Sequence, residues 1–265
     1  MSTVKYYDWS YHQARTRPNK VAVKEVSTGR ETTYGQLEER SCRLASWLQN
    51  KGVKKGDRVA ILIHNCTEVF ELEFACAKIG AIELPLNWRL TKPELEYILN
   101  DSSPEVLIYG SNFSDTAKAL IKDCSIKNSL EIDDEDQNNE YEQALKENID
   151  FDVVETTHDD LIMLMYTSGT TGHPKGAMIT HEMQFYNIVN LAGSARVTDK
   201  TVQLIVLPLF HTGGMNCYAN PILHYGGQIV LMKEFDPGKA LEIIDDPDYG
   251  ITHFFAVPAP FQFMM

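Results

Sequence analysis

The amino-acid sequence predicts an α/β fold with mostly parallel sheets flanked by helices. Two observations predict this class. Short apolar stretches typical of strands alternate with helical patterns along the chain, which favours parallel strands joined by helical crossovers. The composition, with 43% hydrophobic and 23% charged residues among 265, is that of an ordered globular protein of one large or two smaller domains.

Three strand–helix units are predicted before residue 125. Thr33 with Gln36 and Thr91 with Glu94 have the spacing of capping boxes, which mark the first turns of two helices. Two further helices are predicted over residues 67–79 and 115–122. The predicted strands of these units cover residues 57–63, 81–86 and 105–109.

A second strand–helix series is predicted from residue 161, after an acidic stretch. Residues 131–142, EIDDEDQNNEYE, have few apolar positions and predict a solvated excursion. The second series has strands at 161–165, 203–207 and 228–232, and helices from about residue 181, after residue 214 and from residue 237. We therefore divide the chain into a first α/β subdomain, residues 1–160, and a second one, residues 161–265.

The last fourteen residues, 252–265, are unusually apolar for a chain end, since only Thr252, His253 and Gln262 are polar. This pattern predicts either that the polypeptide is the front part of a longer protein or that its end docks on a partner surface. Self-association through residues 261–265 is one form of such docking.

Charge and cysteine content exclude several functions. The formal net charge of −13 argues against nucleic acid as a partner, because no basic stripe offsets it. The five cysteines have wide spacing without a CxxC pair, which indicates reduced thiols and no zinc site. The chain begins without a secretory signal pattern, and no apolar run is long enough to span a membrane. We predict a cytoplasmic protein with no metal site of its own.

The segment YTSGTTGHPKG, residues 166–176, is the strongest candidate for a binding site. It follows the apolar run 161–165 and supplies glycines for close backbone approach, hydroxyl donors and one cation, which together suit a polyphosphate. Its spacing differs from the P-loop of nucleotide triphosphatases, and a flexible linker is the alternative. The candidate phosphate-binding residues are Thr167, Ser168, Gly169, Thr170, Thr171, Gly172 and Lys175.

This segment closely resembles the phosphate loop of the adenylate-forming superfamily, which contains acyl-CoA synthetases, peptide-synthetase adenylation domains and firefly luciferase. Residues 32–62, 68–99 and LPLFHTGG at 207–214 extend the resemblance over nearly the whole chain. The resemblance implies the N-terminal domain of an acyl-CoA synthetase-like fold. It also implies ligation of a fatty or aryl carboxylic acid, with MgATP and coenzyme A as co-substrates, through an acyl-adenylate.

The resemblance also implies a role for His211 within LPLFHTGG. The matching histidine lies beside the acyl pocket, and the glycines that follow, Gly213 and Gly214, leave room for the acyl group. Thr212 is a further candidate residue of this pocket. Residue types alone leave a second interpretation open, in which His211 only caps the next helix.

The sequence departs from the superfamily beyond residue 176. We find no aromatic-Gly-x-Thr-Glu motif for adenine and magnesium, no ribose-binding Asp motif and no C-terminal domain with its catalytic lysine. The fold is therefore expected to be incomplete at its C-terminal end, with ATP binding of millimolar strength or weaker and no thioester formation. Two alternatives stay open: a truncated homologue that serves as an interaction module, and an adenylation unit with a different acceptor.

Overall fold

The computed structural model describes residues 4–133, 136, 138–147, 150–167 and 174–264. The strands in this part of the chain are β1 (Val21–Glu25), β2 (Glu31–Thr33), β3 (Arg58–Leu62), β4 (Ile82–Pro85), β5 (Val106–Gly110), β6 (Asn128–Ile132), β7 (Leu161–Thr167), β8 (Lys175–Thr180), β9 (Val202–Ile205), β10 (Gln228–Leu231) and β11 (His253–Phe254). The helices are α1 (Trp9–Thr16), α2 (Tyr34–Asn50), α3 (Glu68–Ile79), α4 (Lys92–Ser102), α5 (Ser114–Asp123), α6 (Glu140–Ala144), α7 (His181–Ala195), α8 (Thr212–Gly214), α9 (Asn220–His224), α10 (Pro237–Asp245) and α11 (Pro258–Met264).

Two compact units interleave along the chain. Unit 1 contains Met1–Asp8, Glu39–Ile63 and Glu68–Glu182, and unit 2 contains Trp9–Glu38, His64–Thr67 and Met183–Met265. The sequence places residue 161 at the start of a second subdomain. In the structure the strands that follow this residue, β7 and β8, belong to unit 1 because β7 pairs with β4.

Unit 1 is built on a six-stranded sheet in the order β6-β5-β3-β4-β7-β8. All neighbouring strands are parallel except β8, which runs antiparallel to β7 at the edge. The inner strands β3, β4 and β5 are almost wholly buried, as their uninterrupted apolar sequences suggest. The predicted α/β class with mostly parallel sheets is confirmed, and it holds for unit 2 as well.

Unit 2 contains a five-stranded sheet in the order β11-β9-β10-β1-β2, in which only β2 is antiparallel to its neighbour. Its core packs the buried faces of β9 and β10 against α10. The core residues of this cluster are Leu204, Val206, Val230, Met232, Ala240, Ile243 and Ala256. Burial of these aliphatic side chains stabilises the sheet by roughly 1.5–3 kcal/mol for each large side chain.

Both predicted capping boxes are confirmed. The Thr33 backbone N–H donates to the Gln36 side-chain carbonyl at 2.9 Å, and the Gln36 N–H donates to the Thr33 hydroxyl at 3.2 Å. At the start of α4, the Thr91 N–H donates to the Glu94 carboxylate at 2.8 Å. These contacts satisfy backbone groups that the first helical turn leaves without partners.

The prediction of a solvated excursion at residues 131–142 is wrong at both ends of the stretch. Its first residues complete β6, and its last residues form α6, where Tyr141 is buried. The Tyr141 hydroxyl donates to Glu71 at 2.7 Å, and both oxygens of Glu142 accept from the Arg40 guanidinium, at 2.6 and 3.0 Å. Arg40 neutralises part of the acidic charge, so this end of the stretch packs onto unit 1.

Candidate functional site

The Gly-rich segment joins two antiparallel strands. Thr167 ends β7 and Lys175 begins β8, and these two residues are register partners with exposed side chains. Directly opposed residues of an antiparallel pair point to the same face, so a hydroxyl and an ammonium group flank the segment together. The other predicted phosphate-binding residues, Ser168, Gly169, Thr170, Thr171 and Gly172, lie outside the described residues.

The helix predicted from about residue 181 is confirmed, but the sequence did not predict a strand between the Gly-rich segment and this helix. β8 intervenes, and α7 begins only at His181. The segment therefore connects the two strands of a hairpin, and in the described part of the chain the element that follows it is β8 and not the N-terminus of a helix. What the described residues offer a polyphosphate is the cation of Lys175 and the hydroxyl of Thr167.

Gly176 is closely packed within the hairpin. A Cβ at this position would lie 2.9 Å from Cδ1 of Leu164 and 3.3 Å from Cζ of Tyr166. The side chains of β7 thus cover the place that a larger residue would occupy. Packing against β7 therefore accounts for a glycine at this position without the approach of a ligand.

His211 lies in unit 2 and caps a helix. It is the N-cap of α8, where its Nδ1 accepts from the Gly213 N–H at 3.1 Å, and its side chain is exposed. Because Nδ1 accepts, a neutral ring carries its proton on Nε2, which points away from the cap as a donor. The capping interpretation is therefore seen directly, and Nε2 stays available for a second partner.

The residues after His211 form an irregular helix. α8 leads into a π-helical turn, Met215–Ala219, and then into α9. A Cβ on Gly214 would lie 2.3 Å from the Pro208 carbonyl oxygen and 2.8 Å from that of Leu207. Gly214 is thus fixed by the close approach of backbone. A π-turn of this kind often occurs beside functional sites.

Asn65 holds the LPLFHTGG segment in place, which the sequence did not suggest. Its side-chain amide donates to the carbonyl oxygens of Leu207 at 3.0 Å and Met232 at 3.1 Å, and its Oδ1 accepts from the Leu209 N–H at 2.9 Å. This buried side chain ties the segments that follow β9 and β10 together. Its partners are more than 140 residues away in the chain, so local pattern carries no signal of the role.

Two histidines, the buried His181 and the half-buried His224, pack against aromatic side chains. Burial lowers the pKa of His181 and of His224 to about 4, so both rings are neutral near pH 7. The His181 ring stacks on Tyr6 with centroids 4.2 Å apart, and the His224 ring stacks on Trp9 at 3.7 Å. Among the described residues, no group of three His, Cys, Asp or Glu side chains is arranged to hold a metal ion.

The helices of the described ranges are all too short or too polar to cross a bilayer. The expected absence of nucleic-acid binding rests on the net charge alone and stays a prediction.

The sequence of this chain matches a known enzyme family. Residues 10–265 match the family model of AMP-binding enzymes, so the chain belongs to that family. A feruloyl-CoA synthase of Amycolatopsis sp. is 36% identical over 254 residues, which are 96% of this chain and 49% of the relative. The long-chain-fatty-acid–CoA ligase FadD13 of Mycobacterium tuberculosis (strain ATCC 25618 / H37Rv) is 33% identical over 262 residues, 98% of this chain and 51% of the relative.

The fold agrees with a solved domain of the same family. The inhibitor-bound N-terminal domain of FACL13 from Mycobacterium tuberculosis superposes with a TM-score of 0.87 at 32% identity, covering 97% of this chain and 63% of that chain. The resemblance to acyl-CoA ligases and the predicted fold class are thereby confirmed. The chain spans about half the length of the curated relatives it matches.

Proposed function

We propose that this chain supplies the phosphate-binding hairpin and one side of the acyl pocket of an ATP-dependent carboxylate–CoA ligase. The observation that carries the proposal is the exposed Thr167–Lys175 pair, which flanks a Gly- and Thr-rich segment in a chain of the AMP-binding family. The names of the relatives, a feruloyl-CoA synthase and a long-chain-fatty-acid–CoA ligase, support an aryl or fatty acid as the substrate.

The proposed reaction has two steps. A carboxylate oxygen attacks the α-phosphorus of MgATP, forming an acyl-adenylate while the bond to pyrophosphate breaks and its electrons leave with that group. The coenzyme A thiolate then attacks the acyl carbon and displaces AMP. Lys175 and Thr167, together with residues 168–172, neutralise the charge that develops on the departing pyrophosphate, which is electrostatic stabilisation of the transition state.

A separate candidate binding surface for the acyl group lies at the start of α8 in unit 2. His211 would present Nε2–H to the carboxylate, while Thr212 and Gly213 line the same turn and Gly214 shapes it. The capping bond to Gly213 supports this role, because it fixes the tautomer and orientation of the ring. Contacts to adenine, ribose and the thiol are assigned to no residue of this chain, so we expect no thioester formation by the chain alone.

Replacing Lys175 with alanine tests the phosphate site. We expect the wild-type chain to bind MgATP at millimolar strength or weaker, since a few charge-assisted hydrogen bonds barely offset the entropy of association. Lys175→Ala should weaken this binding by about tenfold, the effect of losing about 1.4 kcal/mol. NMR titration with MgATP measures both affinities.

The matched control is Lys200→Ala, which removes an exposed lysine of unit 2 and should leave the affinity unchanged. Micromolar binding by the wild type would contradict the expected weakness. Equal affinities for wild type and Lys175→Ala would contradict the phosphate site itself.

The ligase proposal is tested by acid-dependent exchange of radiolabelled pyrophosphate into ATP. We expect no exchange by the chain alone. A chimera that joins this chain to the unmatched half of the feruloyl-CoA synthase should restore exchange with an aryl or fatty acid. A folded chimera that binds MgATP but shows no exchange with any carboxylic acid would refute the proposed chemistry.

Exposed aromatic residues near the end of the chain favour a second function, that of an interaction module. Phe263 is 70% and Phe261 is 44% exposed in α11. If this surface mediates self-association, size-exclusion chromatography with light scattering should show a concentration-dependent dimer that Phe263→Ser abolishes. A wild-type monomer at all concentrations would exclude self-association through this helix.

We infer a cytoplasmic location from the cysteines. All five lie within the described residues, and none of them is joined in a disulfide. Free thiols are typical of reducing compartments, where disulfides do not persist.

A further inference from the structure

Tyr166 links the root of the hairpin to a helix of unit 1. It precedes Thr167 at the end of β7, and its hydroxyl donates to the Asp101 carboxylate at 2.5 Å. Its ring packs against the main core cluster of unit 1, to which α4 contributes Leu95, Ile98 and Leu99. Burial raises the pKa of the Tyr166 hydroxyl, and Asp101 adds to the shift, so the hydroxyl remains a donor.

The helix that carries Asp101 is itself held at both ends. The capping box at Thr91 fixes its first turn. At the other end Arg58, the first residue of β3, donates to the carbonyl oxygens of Ser102 at 2.6 Å and Ser103 at 2.8 Å. Asp101 therefore lies on a helix whose C-terminal end is hydrogen-bonded to Arg58 of the inner strand β3.

The outer end of β7 extends beyond the register pair that this strand forms with β4. β7 pairs with β4 at Met163 and Glu83, whereas Tyr166 and Thr167 lie beyond that point. Their strand partner is β8, which is the edge strand of the sheet formed by the described residues. The hydrogen bond to Asp101 thus ties this end of the hairpin to the body of unit 1, together with the packing of the Tyr166 ring and a contact between the Tyr166 hydroxyl and the Ser102 side chain.

We propose that Tyr166 and Asp101 form a positioning clamp that holds the Thr167–Lys175 pair in place for a polyphosphate ligand. The ligand part of this inference rests on the proposed function, whereas the clamp itself rests on contacts within unit 1. An ionised acceptor makes this hydrogen bond stronger than a neutral one. Tyr166 and Asp101 act through Thr167 and Lys175 and do not contact the ligand themselves.

Tyr166→Phe separates the clamp from packing, because the phenyl ring still fills its place in the core and only the hydroxyl is lost. We expect amide hydrogen exchange at residues 165–167 and 175–177 to become about tenfold faster, corresponding to about 1.4 kcal/mol. Exchange in β3 and the thermal unfolding midpoint should change little. Tyr109→Phe is the matched control, since it removes a hydroxyl bonded to Glu131 in the same sheet and should leave the hairpin unchanged.

Variants of Asp101 test the pairing. Asp101→Ala should accelerate exchange as Tyr166→Phe does, and the double variant should add nothing further, since one bond is lost in each case. Asp101→Asn retains an acceptor oxygen and should restore most of the protection. Wild-type exchange rates in Tyr166→Phe, or fully additive effects in the double variant, would overturn the clamp.

NMR titration with MgATP decides the ligand part. Where the wild type binds MgATP, Tyr166→Phe should weaken binding by about fivefold to tenfold while Asp101→Asn stays near the wild type. Equal binding by wild type and Tyr166→Phe would overturn the positioning role. A wild type that binds no MgATP would refute the proposed phosphate site, and the exchange experiment would then decide the clamp by itself.

Discussion

Replacing Gly214 with alanine is expected to lower the free energy of unfolding by about 3 kcal/mol. The added Cβ would lie 2.3 Å from the Pro208 carbonyl oxygen and 2.7 Å from the Pro208 carbonyl carbon. Both obstacles are backbone atoms, so no side-chain rotation relieves the overlap. The start of α8 would have to move away from the segment that Asn65 holds. Urea denaturation measures the loss.

Gly193→Ala is the matched control for this substitution. Gly193 lies in α7, is exposed, and would find no heavy atom within 4 Å of an added Cβ. Because alanine has the higher helix propensity, this variant should be more stable than the wild type by roughly 0.5–1 kcal/mol. The same glycine-to-alanine substitution is thus expected to lower the free energy of unfolding at position 214 and to raise it at position 193. A loss of less than 1 kcal/mol for Gly214→Ala would show that the close backbone approach is not tight.

The structure changes how the glycines of the two motifs are understood. The family resemblance implies that Gly213 and Gly214 leave space for an acyl group. At Gly214, however, the Pro208 carbonyl group already excludes any side chain. A side chain at Gly176 would crowd those of Leu164 and Tyr166. Glycines in a binding motif need not face the ligand, and these two support the backbone that presents Lys175 and His211.

Local signals in the sequence predict the strand–helix alternation well. β3, β4 and β5 are apolar runs bounded by turn residues, and each lies within a residue or two of its predicted position. Capping boxes mark α2 and α4 because the partners are three residues apart. The chemistry of the hairpin is also local, so Thr167 and Lys175 could be selected from the sequence.

Features that depend on distant partners could not be predicted. β1 is short, and its parallel partner β10 lies about 200 residues further along the chain. β8, with the sequence KGAMIT, is mostly exposed at a sheet edge and lacks the alternation of a half-buried strand. Asn65 and the Tyr166–Asp101 bond join positions far apart in sequence, and polar residues of this kind have no periodicity that reveals them.

A second large effect is expected at Glu83 in the centre of the unit 1 sheet. Glu83 is 0% exposed, and neither of its carboxylate oxygens has a hydrogen-bond partner within the described part of the chain. Burial raises the pKa of this carboxyl well above its usual range, and the neighbouring Glu73 raises it further. The folded protein therefore holds Glu83 protonated, because an isolated buried carboxylate is too costly.

The contribution of Glu83 to the free energy of unfolding should consequently fall as pH rises above about 4.5, the usual pKa of glutamate. Below that pH both the folded and the unfolded chain hold the proton, and Glu83 has no effect on the pH dependence. Above it the unfolded chain releases the proton while the folded protein keeps it, so the free energy of unfolding decreases by about 1.4 kcal/mol per pH unit until the folded-state pKa is reached.

Glu83→Gln removes this dependence while keeping the size of the side chain. We expect its free energy of unfolding relative to the wild type to rise between pH 5 and pH 7, at a rate of at most about 1.4 kcal/mol per pH unit. Urea denaturation at the two pH values measures the difference, and groups that titrate in both proteins cancel. Glu147→Gln is the control, because Glu147 is exposed and its replacement should change stability by less than about 0.5 kcal/mol at either pH.

If the difference in the free energy of unfolding between Glu83→Gln and the wild type is the same at pH 5 and pH 7, the carboxyl ionises inside the folded sheet. Glu83 is the register partner of Met163 in β7, so a charge there would act on the strand that leads to the hairpin. Because that strand also carries Tyr166, loss of stability at Glu83 should first loosen the attachment of β7 to β4, which amide exchange along β7 at high pH would detect.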